Sequence, residues 1–228
     1  MKKNLISIVF LFLTIILPAQ QNPSFVSLQV GTSLPVAKFH GKEFPDGGFA
    51  LTGLCTSIEG AWFFRSWLGV GASAGVNMHP VDVGDLGYET VQENPFITDL
   101  IIRSDPYLSL SLYTGLFFQF PLVQKLSFTA KALGGIIYTQ TPYQLYKAEY
   151  YLIGENWYEI TSAGDYEGSF LAGAGLRYDL NDCIGFSLQS DFTYNVMDFN
   201  FVQSDGSVRT DEKVVAFVNL SAGLVIKL

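Results

Sequence analysis

Eight segments of the chain alternate apolar with small polar side chains at a period of two, and no charged residue falls on the apolar side of any of them. A period of two marks a β-strand, because successive side chains point to opposite faces. The segments are residues 25–35, 49–64, 68–78, 107–120, 126–138, 166–178, 184–196 and 218–228. In the first, Val26, Leu28, Val30, Thr32 and Leu34 share one face, while Ser27, Gln29, Gly31 and Ser33 share the other. Glu59, Lys131, Arg177, Asp191 and Lys227 all fall on the second face. An Arg or Lys on the lipid face of a barrel costs about 2–4 kcal/mol at the bilayer midplane, so a charge-free face is the pattern lipid demands.

A water-soluble sandwich also hides an apolar face, but its other face meets water and carries many Lys and Glu. Here the second face is mostly Gly, Ser, Thr, Asn and Gln, which suits the crowded interior of a narrow barrel. The connections alternate in length. Short turns are expected at residues 65–67, 121–125 and 181–183, and long polar loops at 37–47, 79–105, 139–165 and 197–213. Membrane barrels place short turns at the periplasmic end and long loops outside. In hydrocarbon every backbone N–H and C=O needs a partner, and only a closed sheet has no edge. The pattern therefore predicts an all-β fold, an eight-stranded antiparallel up-and-down transmembrane β-barrel, with both termini periplasmic. Side chains fill an interior of that size, so a wide diffusion pore is not expected. Trp62, Phe64, Trp67, Phe118, Phe120 and Tyr178 would belt the periplasmic interface, and Tyr107, Tyr138 and Tyr194 the outer one.

The N-terminus reads as an export signal. Lys2 and Lys3 precede an apolar run over residues 5–17, and Pro18, Ala19 and Gln20 follow as small and polar residues fit for cleavage. The run is shorter than the roughly 20 residues a spanning helix needs. Residues 1–20 are thus expected to be a cleaved signal peptide and 21–228 one barrel domain. Removing Lys2 and Lys3 from the 13 basic residues leaves 11 against 21 acidic ones, a formal charge of −10. Such a surface argues against nucleic acid as a partner. Cys55 is expected mid-strand and Cys183 in a periplasmic turn several strands away, too far apart for a disulfide.

The C-terminal strand Ser221-Ala222-Gly223-Leu224-Val225-Ile226-Lys227-Leu228 is similar to the signal read by the barrel-assembly machinery, a polar residue, then Gly, then alternating hydrophobics. Its signal positions are Ser221, Gly223, Ile226 and Leu228; the usual pattern ends in an aromatic where this chain has Leu228. With the eight strands, this resembles the small outer-membrane β-barrel domain family of Bacteroidetes that includes PorT-like proteins, and OmpA and OmpX in architecture. The resemblance implies a bacterial outer-membrane address among lipid and lipopolysaccharide, dependence on the assembly machinery, and a role connected with protein secretion. The chain stops at this strand, so no peptidoglycan-binding domain is expected to follow.

Glu59, Lys131, Arg177 and Asp191 are expected to point inward as a lumenal charge network, since buried charges need partners. Tyr143, Tyr146, Tyr150, Tyr151, Trp157 and Tyr158 crowd the third outer loop and are candidates for a binding surface, with self-packing as a structural flap or extension of the interface belt as alternatives. Asp82, Asp85, Glu89, Glu93 and Asp99 crowd the second loop, either as a solvated acidic segment or as oxygen donors for Ca²⁺. Gly69, Gly71 and Gly75 alternate in a strand with no helix following, which excludes a phosphate-binding loop. His40 and His79 fall towards the outer loops, with His79 beside Pro80 expected to end the third strand, and neither has an evident nucleophile or acid partner. No cofactor is implied. The chain reads as a non-enzymatic structural, adhesion or accessory barrel acting through its outer loops or periplasmic rim. The alternative is a lipid-modifying enzyme such as a lipid A deacylase.

Overall fold

A computed structural model describes residues 24–44, 46–152, 154–202 and 207–228. The expected signal peptide lies outside them. Eight strands form the barrel: β1 (Phe25–Pro35), β2 (Gly53–Phe63), β3 (Leu68–His79), β5 (Tyr107–Val123), β6 (Leu126–Gln140), β9 (Gly164–Asp179), β10 (Ile184–Val202) and β11 (Val208–Lys227). The intervening β4 (Ile97–Ser104), β7 (Gln144–Tyr150) and β8 (Gly154–Ile160) form a separate sheet, preceded by helix α1 (Val83–Glu93).

The ring order is β1-β11-β10-β9-β6-β5-β3-β2, and every neighbouring pair is antiparallel. Closure comes from β1 lying against β11, from Phe25↔Lys227 to Pro35↔Phe217. The eight strands read from periodicity are all present. The alternation is also oriented as read: Leu28, Val30, Leu54, Ile58, Leu188 and Leu224 are more than half exposed, while Ser27, Gln29, Glu59 and Ser187 between them are almost fully buried. The barrel is thus apolar outside and polar within, the inverse of a water-soluble fold.

The long connections differ from the expectation. Residues 79–105 and 139–165 are not open loops, for they carry α1 and the β4-β7-β8 sheet. Residues 197–202 and 208–213 extend β10 and β11 and pair from Met197↔Lys213 to Val202↔Val208, with Met197 and Phe199 fully buried. The second strand starts at Gly53 rather than residue 49, because Phe49 and Ala50 turn inward and bury. Polarity made these stretches look like loops. Each nevertheless presents a few apolar side chains to a shared outer cluster built on Phe39, Phe49, Tyr107, Met197, Phe199 and Phe217.

The interior is also less uniform than predicted. Phe25, Phe63, Phe117, Tyr113, Leu133, Leu171 and Val225 form a second apolar cluster inside the ring. These residues sit at inward positions within apolar runs such as Trp62-Phe63-Phe64, where alternation of polarity gives no clue to direction.

Candidate functional site

Three of the four expected lumenal charges meet. The Lys131 ammonium on β6 lies 2.6 Å from Glu59 Oε2 and 2.9 Å from Asp191 Oδ2. Glu59 on β2 is separated from both β6 and β10 by two intervening strands, so this cluster crosses the lumen as a strut. Lys131 also donates to Gln189 Oε1 at 2.7 Å. Glu59 Oε1 accepts from Gln189 Nε2 at 2.5 Å and from Ser27 Oγ at 3.2 Å, and Gln29 donates to Ser187 at 2.7 Å. The remaining cation stands apart: Arg177 pairs with Asp179 at 3.4 Å, donates to Gln119 at 3.3 Å and lies over the Phe25 ring at 4.9 Å. The glutamines could not be singled out in advance, because small and medium polar residues are common on that face.

The strut and the inner apolar cluster both lie within the lumen, and the outer cluster lies at its mouth. A lumenal cavity against Phe25, Lys131 and Gln189 measures about 20 Å³, room for about one water. The outer mouth differs, for there a cleft of about 910 Å³ opens between three elements. Asp46 and Phe49 come from the first loop, Gln144 and Glu159 from the separate sheet, and Asp211 and Lys213 from the β10–β11 hairpin.

The first loop folds into the mouth as a cork. Phe39 is 1% exposed and packs edge-on against His79 and Tyr107, each at 5.1 Å. The cork is bracketed by two non-glycine residues at positive φ, Ala37 at 53° and Phe49 at 50°, a conformation that L-residues adopt only when packing enforces it. Tyr107 therefore points inward, its hydroxyl donating to Gly48 O, and does not join the outer aromatic belt. Tyr138 and Tyr166 meet there instead at 4.5 Å, with Tyr194 half exposed nearby in the wall. At the short-turn end Trp67 stacks on Phe118 and Phe120, and Trp62 lies beside Phe64.

The candidate binding loop divides by face. Tyr146 is buried and stacks on Tyr158 at 4.7 Å, so these two hold the separate sheet to the outer cluster. Their phenols are pushed above the ordinary tyrosine range by burial. Tyr143, Tyr151 and Trp157 are exposed and Tyr150 is half-buried. Lys147 lies over the Trp157 ring at 5.5 Å, and Tyr143 donates to Glu159. The loop thus has a buried face packed on the outer cluster and an exposed aromatic face.

Asp82 caps α1 by accepting from Asp85 N at 3.2 Å, and Lys42 bridges to Asp82 and Asp85. No group of three or more His, Cys, Asp or Glu disposed to hold a metal occurs among the described residues. Cys55 is buried and Cys183 exposed, both as free thiols. In the C-terminal strand Ser221 and Gly223 face inward while Ile226 and Leu228 face out.

His79 stands where its place beside Pro80 predicts, at the end of the third strand. It is fully buried, with Nε2 2.8 Å from Ser33 Oγ. This is the serine–histidine contact a hydrolase needs, yet both residues are 0% exposed and His79 Nδ1 has no hydrogen-bond partner. A working pair needs substrate access and a third group to orient the base.

No family model and no curated protein matches the chain. Among solved structures it is similar to Neisserial surface protein A, with a TM-score of 0.51 and 11% identity over 91% of this chain and 98% of that one. It is also similar to Ail of Yersinia pestis, TM-score 0.46 and 15% identity over 90% and 99% of the two chains. OprG of Pseudomonas aeruginosa gives a TM-score of 0.45 and 11% identity over 92% and 97%. The fold is that of small eight-stranded outer-membrane barrels.

Proposed function

We propose that this chain is a bacterial outer-membrane barrel that conducts nothing and works as a non-enzymatic recognition or accessory protein through its outer elements. The observation that carries the reading is a filled lumen beneath an open, structured mouth. Its charge-free apolar girdle, belted by aromatics, fits hydrocarbon and the surrounding lipid and lipopolysaccharide. Both barrel termini and the three short turns lie at one end, which on this reading faces the periplasm. The cork, the separate sheet and the long hairpin then face outward. A partner in secretion, as the resemblance to PorT-like barrels implies, would meet these elements or the periplasmic rim. The enzyme reading is disfavoured by the burial of Ser33 and His79, the latter against Phe39.

The two native thiols provide the test. Cys183, exposed in a short turn, should react with a membrane-impermeant maleimide only after the outer membrane is permeabilised, while a Tyr151→Cys variant should also label its new thiol on intact cells. Cys55 should stay unreactive in the folded protein. Labelling of Cys183 on intact cells would reverse the orientation, and recovery of the protein in the soluble fraction would refute the address.

A further inference from the structure

The separate sheet has two edges, and they differ. At β4 the pairing with β7 is broken by an irregularity between Ile97 and Asp99, and α1 packs against the strand. At β8 the register with β7 is regular, from Gln144↔Ile160 to Tyr150↔Gly154. Among the described residues β8 pairs with no strand on its other side. Natural proteins blunt such an edge with Pro, charged side chains, a bulge or a covering element. The charges of β8 are both acidic, so they repel acidic chains and not basic ones. The seven residues of β8, Gly-Glu-Asn-Trp-Tyr-Glu-Ile, include no Pro and no basic residue.

We propose that the free edge of β8 accepts an extended, basic segment of a partner protein as a fourth strand, with Trp157 as its apolar anchor. The proposal deepens the recognition role above and rests on it. Backbone groups of an unpaired edge supply affinity to any extended chain, and the side chains beside it supply the selection. Trp157 is 57% exposed and stands between Glu155 and Glu159, both exposed on the same face. In the neighbouring strands that face carries Asp99, Glu149, Arg103 and Lys147, so acids outnumber bases four to two across it, and with Lys147 paired to Glu155 at 2.9 Å a net acidic excess remains. An added strand with alternating Lys or Arg would set its charges beside those carboxylates, the cross-strand arrangement that stabilises a sheet. A second copy of this chain fits poorly. Symmetric pairing centred on Trp157 would set Glu155 against Glu159 of the other copy twice, between chains that each carry a formal charge of −8 over the full sequence and −10 without Lys2 and Lys3.

The experiment uses the full chain in lipid nanodiscs and a seven-residue peptide alternating lysine and valine. Hydrogen exchange should slow over residues 154–160 when the peptide is added. The same peptide N-methylated at alternate residues keeps its charge but loses one row of donors, and it should bind about tenfold more weakly or worse. A glutamate–valine peptide should not bind, and E155Q/E159Q and W157A should each weaken the lysine peptide by a similar factor. Equal binding of the methylated peptide, binding of the acidic one, or unchanged exchange over 154–160 would overturn edge addition. The thiol-labelling test judges the underlying reading separately. A protein that labels as expected but shows no slowed exchange refutes the edge alone, whereas one that fails labelling refutes the reading beneath it.

Discussion

Lys131 and Asp191 flank Gly173 in one continuous row of the barrel, Lys131 beside Gly173 on β9 and Gly173 beside Asp191, and the two charges meet across it at 2.9 Å. The glycine makes the contact possible. A Cβ at Gly173 would collide with Asp191 Oδ1 and come within 2.7 Å of Lys131 Cε. Gly173→Ala should therefore displace the strut and lower stability by about 1–3 kcal/mol, the range for overpacking. Gly134→Ala, where an added Cβ meets nothing within 4 Å, should be tolerated. Unfolding of both variants in urea with lipid vesicles present distinguishes them; equal stabilities would refute the packing role.

Removing the cation of the strut leaves two buried carboxylates facing one another. Lys131→Met should cost about 3–5 kcal/mol, as for other broken buried pairs. Adding Glu59→Gln and Asp191→Asn to it should restore most of that loss, because no buried charge then remains unpaired. A triple variant no more stable than the single one would show that the residues matter for shape rather than charge.

Much of this was legible in the sequence. The strands, their inward face and the meeting of Glu59, Lys131 and Asp191 all follow from side-chain periodicity, since lipid tolerates no charge outside and a small lumen forces charges together. Arg177 has the same parity but sits nearer the short-turn end, beside Asp179 and Phe25, and axial position is not encoded in parity. The apolar plugs are not legible there because Phe63 and Phe117 lie in runs that are apolar on both sides. The separate sheet is not legible either, because its strands are short and half polar, and Tyr146 and Trp157 differ only in burial.

Phe39 holds the cork in the mouth. Phe39→Ala should lower stability by about 3–5 kcal/mol, the usual range for a large buried aromatic. Proteolytic cleavage within residues 40–48 should become faster while the transmembrane strands remain protected. Unchanged cleavage would mean that the loop is held at its rim alone.

That rim carries a clasp with a defined pH response. The hydrogen bond from Lys42, more than their bare attraction, holds the Asp85 carboxyl below the ordinary carboxylate range. A depressed carboxyl contributes while ionised, so the clasp is complete above the ordinary aspartate pKa and is lost as pH falls through the lowered value. Exchange of the amides in residues 40–44 should stay constant from neutral pH to about pH 5 once corrected for intrinsic rate, and rise only under stronger acid. Loosening between pH 7 and 6 would assign the response to another group.

Whether the filled interior blocks ions is measured most directly by single-channel recording across planar bilayers. Insertion should first be verified by brominated-lipid quenching of Trp62 and Trp67. Verified protein should give no steady open-pore current, because the strut and the inner apolar cluster lie across the lumen. A stable, ohmic current of porin size from the unmodified chain would contradict the sealed barrel and the recognition role built on it.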